Sequence, residues 1–148
     1  MSSKMLRALL LAMVVFALGG CAGAQIMKEK PTPQATADKG MVYFFRESHF
    51  AGAAVVFDVK DGADTIGILQ SGTYFWYAAA PGPHTFTAKT EATSAVTLNV
   101  EAGKTYYVGG GVSLGAFVGH PKLTVANEAD WQKIFPDLHY AVKQATPQ

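Results

Sequence analysis

The chain has 148 residues, with 12 lysines and arginines against 11 aspartates and glutamates, for a formal net charge of +1. So even a balance excludes the basic stripe of a nucleic-acid binder and a polybasic membrane patch. The length supports one domain with a real core and not two, and a single cysteine, Cys21, rules out an internal disulfide framework.

Residues 1–20 have the three parts of a secretory signal: Lys4 and Arg7 at the start, an apolar run from Ala8 to Leu18, and the small pair Gly19-Gly20. The run is well short of the ~20 apolar residues that cross a bilayer as a helix. Leu18-Gly19-Gly20-Cys21 resembles the lipobox of bacterial lipoproteins. That resemblance implies cleavage between Gly20 and Cys21, diacylglycerol on the Cys21 thiol and acylation of the new amino group. Each buried methylene contributes ~0.8 kcal/mol, so one acyl chain holds marginally and two or three hold durably. Ala22 rather than aspartate follows the cysteine, which by the same resemblance implies the outer membrane, with the domain facing the periplasm. Removing the first 20 of 148 residues leaves 128, and loss of Lys4 and Arg7 leaves 10 basic against 11 acidic residues, a net charge of −1.

Residues 21–39, with Lys28-Glu29-Lys30-Pro31-Thr32-Pro33 and an Ala/Thr/Gln run, show no apolar period and read as a flexible tether after the lipidated cysteine. Residues 40–140 read as the domain and 141–148 as a tail. Strands are expected over residues 41–46, 53–60, 63–70, 73–78, 84–89, 94–101, 104–108 and 122–126. Asp61-Gly62 is suited to a tight hairpin, Pro81-Gly82-Pro83 and Ala102-Gly103 to turns. Val96, Leu98 and Val100 alternate with Thr97, Asn99 and Glu101. One helix is expected: Asn127 caps it, Glu128 and Asp130 suit its first turn, Trp131, Ile134 and Phe135 share a face, and Pro136 ends it. The fold class is mainly β, an antiparallel β-sandwich of about seven or eight short strands with one C-terminal helix.

Gly40-Met41-Val42-Tyr43-Phe44-Phe45-Arg46, Ile66-Gly67, Gly72-Thr73-Tyr74-Phe75, Pro81-Gly82 and Glu101-Ala102-Gly103-Lys104-Thr105-Tyr106-Tyr107-Val108 together resemble one group of proteins. These are small lipid-anchored bacterial proteins carrying a domain of unknown function, and the likeness runs from about Gly40 to Phe135. It implies a periplasm-facing β-sandwich and supplies no catalytic residue. Glu47-Ser48 departs from the proline that relatives carry after the arginine.

No stretch is read as a catalytic or cofactor site. Gly103-Lys104-Thr105 lacks the upstream glycine of a phosphate loop, where Leu98 stands, and falls between strands. His49, His84, His120 and His139 lack metal-ligand spacing, so no metal is expected. Ser113 sits in Gly-Val-Ser-Leu-Gly with no indicated base. Asp58, Asp61 and Asp64 crowd one hairpin without the glycine and glutamate of a calcium loop. Val108 to His120, with Gly109-Gly110-Gly111, Gly115 and Gly119, reads either as a loop or twisted edge strand, or as an apolar tip at Leu114, Phe117 and Val118. Tyr43, Phe44, Phe45, Tyr74, Phe75, Trp76, Tyr77, Tyr106 and Tyr107 put aromatics on both strand faces, so one face is core and the other lies under the helix or binds ligand. The reading is therefore a lipid-anchored envelope protein without catalysis or cofactor, an interaction or structural module meeting the membrane and an envelope protein. The alternative is a binding module for a small apolar or glycan ligand through exposed aromatic faces.

Overall fold

The fold is organised around one strand that is apolar on both sides, residues 40–46. All seven of its residues are buried, because Val42 and Phe44 point into one core while Met41, Tyr43 and Phe45 point into another. The structure, a computed structural model, describes residues 23–115 and 119–144. Ten strands are present there: β1 Ala24–Ile26, β2 Gly40–Arg46, β3 Phe57–Asp61, β4 Asp64–Leu69, β5 Thr73–Ala79, β6 Gly82–Lys89, β7 Thr93–Val100, β8 Thr105–Leu114, β9 Gly119–Ala126 and β10 His139–Lys143. A helix, α1 Glu128–Ile134, and a 3₁₀ turn, Phe135–Asp137, precede β10.

The strands form two sheets, a six-stranded one in the order β1-β10-β5-β2-β8-β9 and a four-stranded one in the order β4-β3-β6-β7. Their facing sides share one core of Val42, Phe44, Phe75 and Val108 from the first sheet and Phe57, Val59, Leu69 and Phe86 from the second. Phe44 stacks on Phe75 at 4.8 Å and meets the edge of Phe86 at 5.0 Å. Burying such a side chain contributes roughly 1.5–3 kcal/mol. On the outer side of the first sheet, Trp131 of α1 lies 4.9 Å from the Tyr43 ring and 5.3 Å from the Tyr74 ring. The helix starts where its cap was expected: Asn127 Oδ1 accepts from Asp130 N at 2.9 Å, and Asp130 Oδ2 accepts from Asn127 N.

Three expectations need correction. The strand count is ten, not seven or eight, since β1 and β10 have only three and five residues and no clear alternation. The first sheet is mixed, not antiparallel: β2 pairs parallel with β8, and β10 parallel with β5. Of the two conformations expected from Val108 onward, the loop gives way to the strand, because β8 runs through Gly109-Gly110-Gly111 to Leu114 and pairs with the edge strand β9. Glycine weakens a strand in isolation, but a Cβ on Gly110 would stand 2.8 Å from Leu69 Cδ1, so a packed core requires its absence.

The segment between β1 and β2, read from sequence as a tether, is fastened to the domain. Tyr43 donates its hydroxyl to the Pro33 carbonyl at 2.5 Å, and Tyr74 to the Pro31 carbonyl at 3.0 Å. Lys30 Nζ donates to the carbonyls of Phe135 and Pro136 at 2.9 and 3.0 Å and lies over the Phe135 ring. Proline favours the extended backbone that lets successive carbonyls face these donors. A seam closes one flank of the sheets: Leu123 N on β9 donates to Ser94 Oγ on β7 at 2.9 Å, and Thr90 donates to the Gly119 carbonyl at 3.1 Å.

Candidate functional site

At the Arg46 end of β2, which we term the far end, residues 47–56 arch outward before β3 begins. Arg46 is 3% exposed, and burial pulls its pKa below the ordinary guanidinium value. It remains a cation, and two backbone carbonyls meet it: Nη1 donates to Val55 O and Nη2 to Gly52 O, both at 2.6 Å. Its guanidinium also lies 5.7 Å from the centre of the Phe57 ring. A second fastening comes from Ser71, whose hydroxyl accepts from His49 N and donates to His49 O. The arch is therefore pinned on both sides of Phe50.

Phe50 itself is fully exposed, at 101%. Next to the arch, a Cβ on Gly52 would stand 3.1 Å from Val112 of β8, and one on Gly119 would meet both Val112 and Val55. Leu114 lies two residues beyond Val112 on the same strand face and is 75% exposed. Phe50, Val56 and Leu114 are thus exposed apolar residues at one end of the body, the first two on or beside an arch that is held rather than loose. Full burial of Phe50 and Leu114 against a partner would contribute roughly 1.5–3 kcal/mol each. Of the expected tip residues the structure places Leu114 at this end. Phe117 and Val118, like Gly20 and Cys21, lie outside the described residues.

A groove of about 470 Å³ opens beside this end on the outer side of the six-stranded sheet. Its floor is Gly109 and Gly111, where a missing side chain leaves the sheet surface bare, and its walls include Glu47, His49, Lys133 and Ile134. A Cβ on Gly111 would touch nothing within 4 Å.

The remaining sequence candidates are employed structurally. His84 Nδ1 lies 2.6 Å from Asp61 Oδ2 and its Nε2 2.7 Å from the Ala80 carbonyl, so the ring ties the β3–β4 turn to the chain leading into β6. Tyr77 also donates to Asp61, and burial first, then that hydrogen bond, raises its phenol pKa. Asp58 accepts from Lys143 at 2.6 Å. Lys104 pairs with Glu101 at 2.8 Å in a turn before β8. Ser113 and His120 are register partners on β8 and β9, and no hydrogen bond joins them among the described residues. Also among the described residues, no three His, Cys, Asp or Glu side chains gather as a metal site. Of the strand aromatics, Tyr43, Phe44, Phe45, Tyr74 and Phe75 are buried and Trp76, Tyr77, Tyr106 and Tyr107 half-buried, with α1 and the N-terminal segment packed on the outer side.

Sequence reading missed Phe50 and the bracing role of Arg46. The available signal was a cation closing the apolar run Val42 to Phe45, followed by an aromatic residue set among small and polar ones. The chain belongs to the family described as "Protein of unknown function (DUF2846)", which matches residues 36–120. No curated protein and no solved structure matches it.

Proposed function

We propose that this DUF2846 domain is a lipid-anchored module of the bacterial envelope, attached through Cys21 to the outer membrane, facing the periplasm and acting by contact rather than catalysis. The Leu18-Gly19-Gly20-Cys21 pattern supports the anchor, and Ala22 the destination. The observation that carries the contact reading is Phe50, fully exposed on an arch that a buried, carbonyl-bound arginine holds in place. A cation taken out of water is costly unless well partnered, and here it fixes the backbone on either side of an apolar side chain with no contact of its own. Leu114 extends that surface, and Phe117 and Val118 are assigned to it from sequence.

The test compares cells carrying Cys21→Ala, Phe50→Asp with Leu114→Asp, or a deletion. Cys21→Ala is expected to move the protein from the membrane to the soluble fraction. The double aspartate variant is expected to stay folded and membrane-bound, yet reproduce the deletion phenotype. Full complementation by that variant would sink the contact reading. A second reading, a small-ligand binder, rests on the glycine-floored groove, and Gly111→Leu should then abolish any ligand-induced rise in melting temperature.

A further inference from the structure

We infer that the domain stands on the anchoring bilayer by the end at which its chain comes in, and holds the Phe50–Leu114 end outward for a protein partner. The inference rests on the lipid-anchor reading of Cys21 given above. Strand directions settle where the chain comes in. β1 is antiparallel to β10, β10 parallel to β5, and β5 antiparallel to β2, so β1 and β2 both run toward the far end. Ala24 pairs with Lys143, and β10 follows β5 from His139 beside Thr73, which puts Lys143 near the level of Tyr77. Tyr77 faces Val42, and Val42 faces Tyr106, close to the opposite or near end of the sheet at Gly40 and Ala79. From Tyr106, β8 continues eight residues to Leu114, a climb of about 26 Å at ~3.3 Å per residue.

The leash is shorter than this climb. Only Ala22 and Gly23 separate Cys21 from β1, so the anchor lies at most about 11 Å from Ala24. Residues 27–39 add no slack, because they follow β1 and are fastened by Tyr43, Tyr74 and Lys30. Turning the apolar end into the anchoring bilayer would lift Ala24 about 26 Å from the surface, more than twice what the leash spans. The domain can tilt, but it cannot invert while β1 remains paired. The apolar end therefore meets something other than its own membrane, and an exposed phenylalanine and an exposed leucine at the same end fit an apolar cleft on a protein.

The test uses the full-length lipidated protein, purified from membranes, in phosphatidylethanolamine–phosphatidylglycerol vesicles containing a spin-labelled lipid. A fluorophore is placed at Phe50→Cys or, at the near end, Lys104→Cys. Quenching of the Lys104 position alone is expected, while quenching at Phe50 overturns the orientation. In living cells a photoreactive residue at Phe50 should give one discrete protein adduct, falling about tenfold with Leu114→Asp, as the loss of one buried apolar contact requires. Lipid adducts, no adduct, or an adduct indifferent to Leu114→Asp would each overturn the partner assignment. The intact mass of the mature protein separates the two layers. A Cys21 without lipid removes the anchor reading and this orientation together, whereas a lipidated Cys21 with a quenched Phe50 label removes the orientation alone.

Discussion

The two ends of the strands are closed by different means. At the near end the connections are short and polar: Gly62 and Gly103 take positive φ, and Glu101 and Lys104 pair across the turn before β8. A glycine there meets the backbone requirement by itself. At the far end the turn before β5 is closed the same way, by Gly72, but the longer arch, which has a positive-φ glycine of its own in Gly52, is held in addition by a side chain from the sheet, Arg46. The short turns are closed by glycine alone and the arch is braced, with Phe50 exposed on it.

This contrast can be broken most severely at Arg46. Arg46→Met keeps the volume but removes two charge-assisted hydrogen bonds, leaving Gly52 O with Val55 N alone and Val55 O without the guanidinium, and a loss of about 3 kcal/mol is expected. Urea unfolding would show it, with faster proteolysis within residues 47–56. Two neighbouring glycines should separate next. Gly110→Ala forces a Cβ against Leu69 and is expected to cost roughly 1–3 kcal/mol, whereas Gly111→Ala meets open space and should leave the urea midpoint nearly unchanged.

The N-terminal segment offers a pH test. Burial, with Tyr107 nearby, pushes the Tyr43 phenol from 10.0 up to about 12, and burial raises that of Tyr74. The neutral phenol is thus the form the fold prefers. Its contribution is complete below the unfolded value of ~10 and is lost as pH rises toward 12. Stability should be flat with respect to these groups at neutral pH and fall in alkali. Tyr43→Phe should flatten that alkaline fall and cost about 1 kcal/mol at neutral pH for the lost hydrogen bond to Pro33. Smallest of all, Phe50→Ser and Leu114→Ser should change stability by less than ~0.5 kcal/mol, because neither residue is packed. A larger loss would mean that this end serves the fold instead of a partner.

Local chemistry was legible in the sequence, and long-range pairing was not. The Asn127 cap and the Trp131, Ile134, Phe135 face depend on residues within two turns of each other, and α1 begins as expected. The parallel pairing of β2 with β8 joins residues some 64 positions apart, Met41 with Thr105, and nothing in either segment encodes direction. Three glycines hid the continuity of β8, since their value lies in neighbours such as Leu69 that sequence does not place beside them. The same holds for residues 27–39: two tyrosine hydroxyls from other strands turn a proline-rich run from a spacer into a fastened strap. Leu114 was legible at the tip because exposure at a hairpin end is a local property; Phe50 was not, because only the Arg46 brace distinguishes its arch from any polar loop.

The seam between Leu123 and Ser94 has a consequence for the edge of the six-stranded sheet. An unprotected strand margin offers a row of free N–H and C=O groups to a strand from another copy. Here the N–H of Leu123 on the outermost strand is already spent on a serine, and Pro121 two residues earlier has no N–H to offer. This margin of the six-stranded sheet is thereby a poor template for a strand from a second copy.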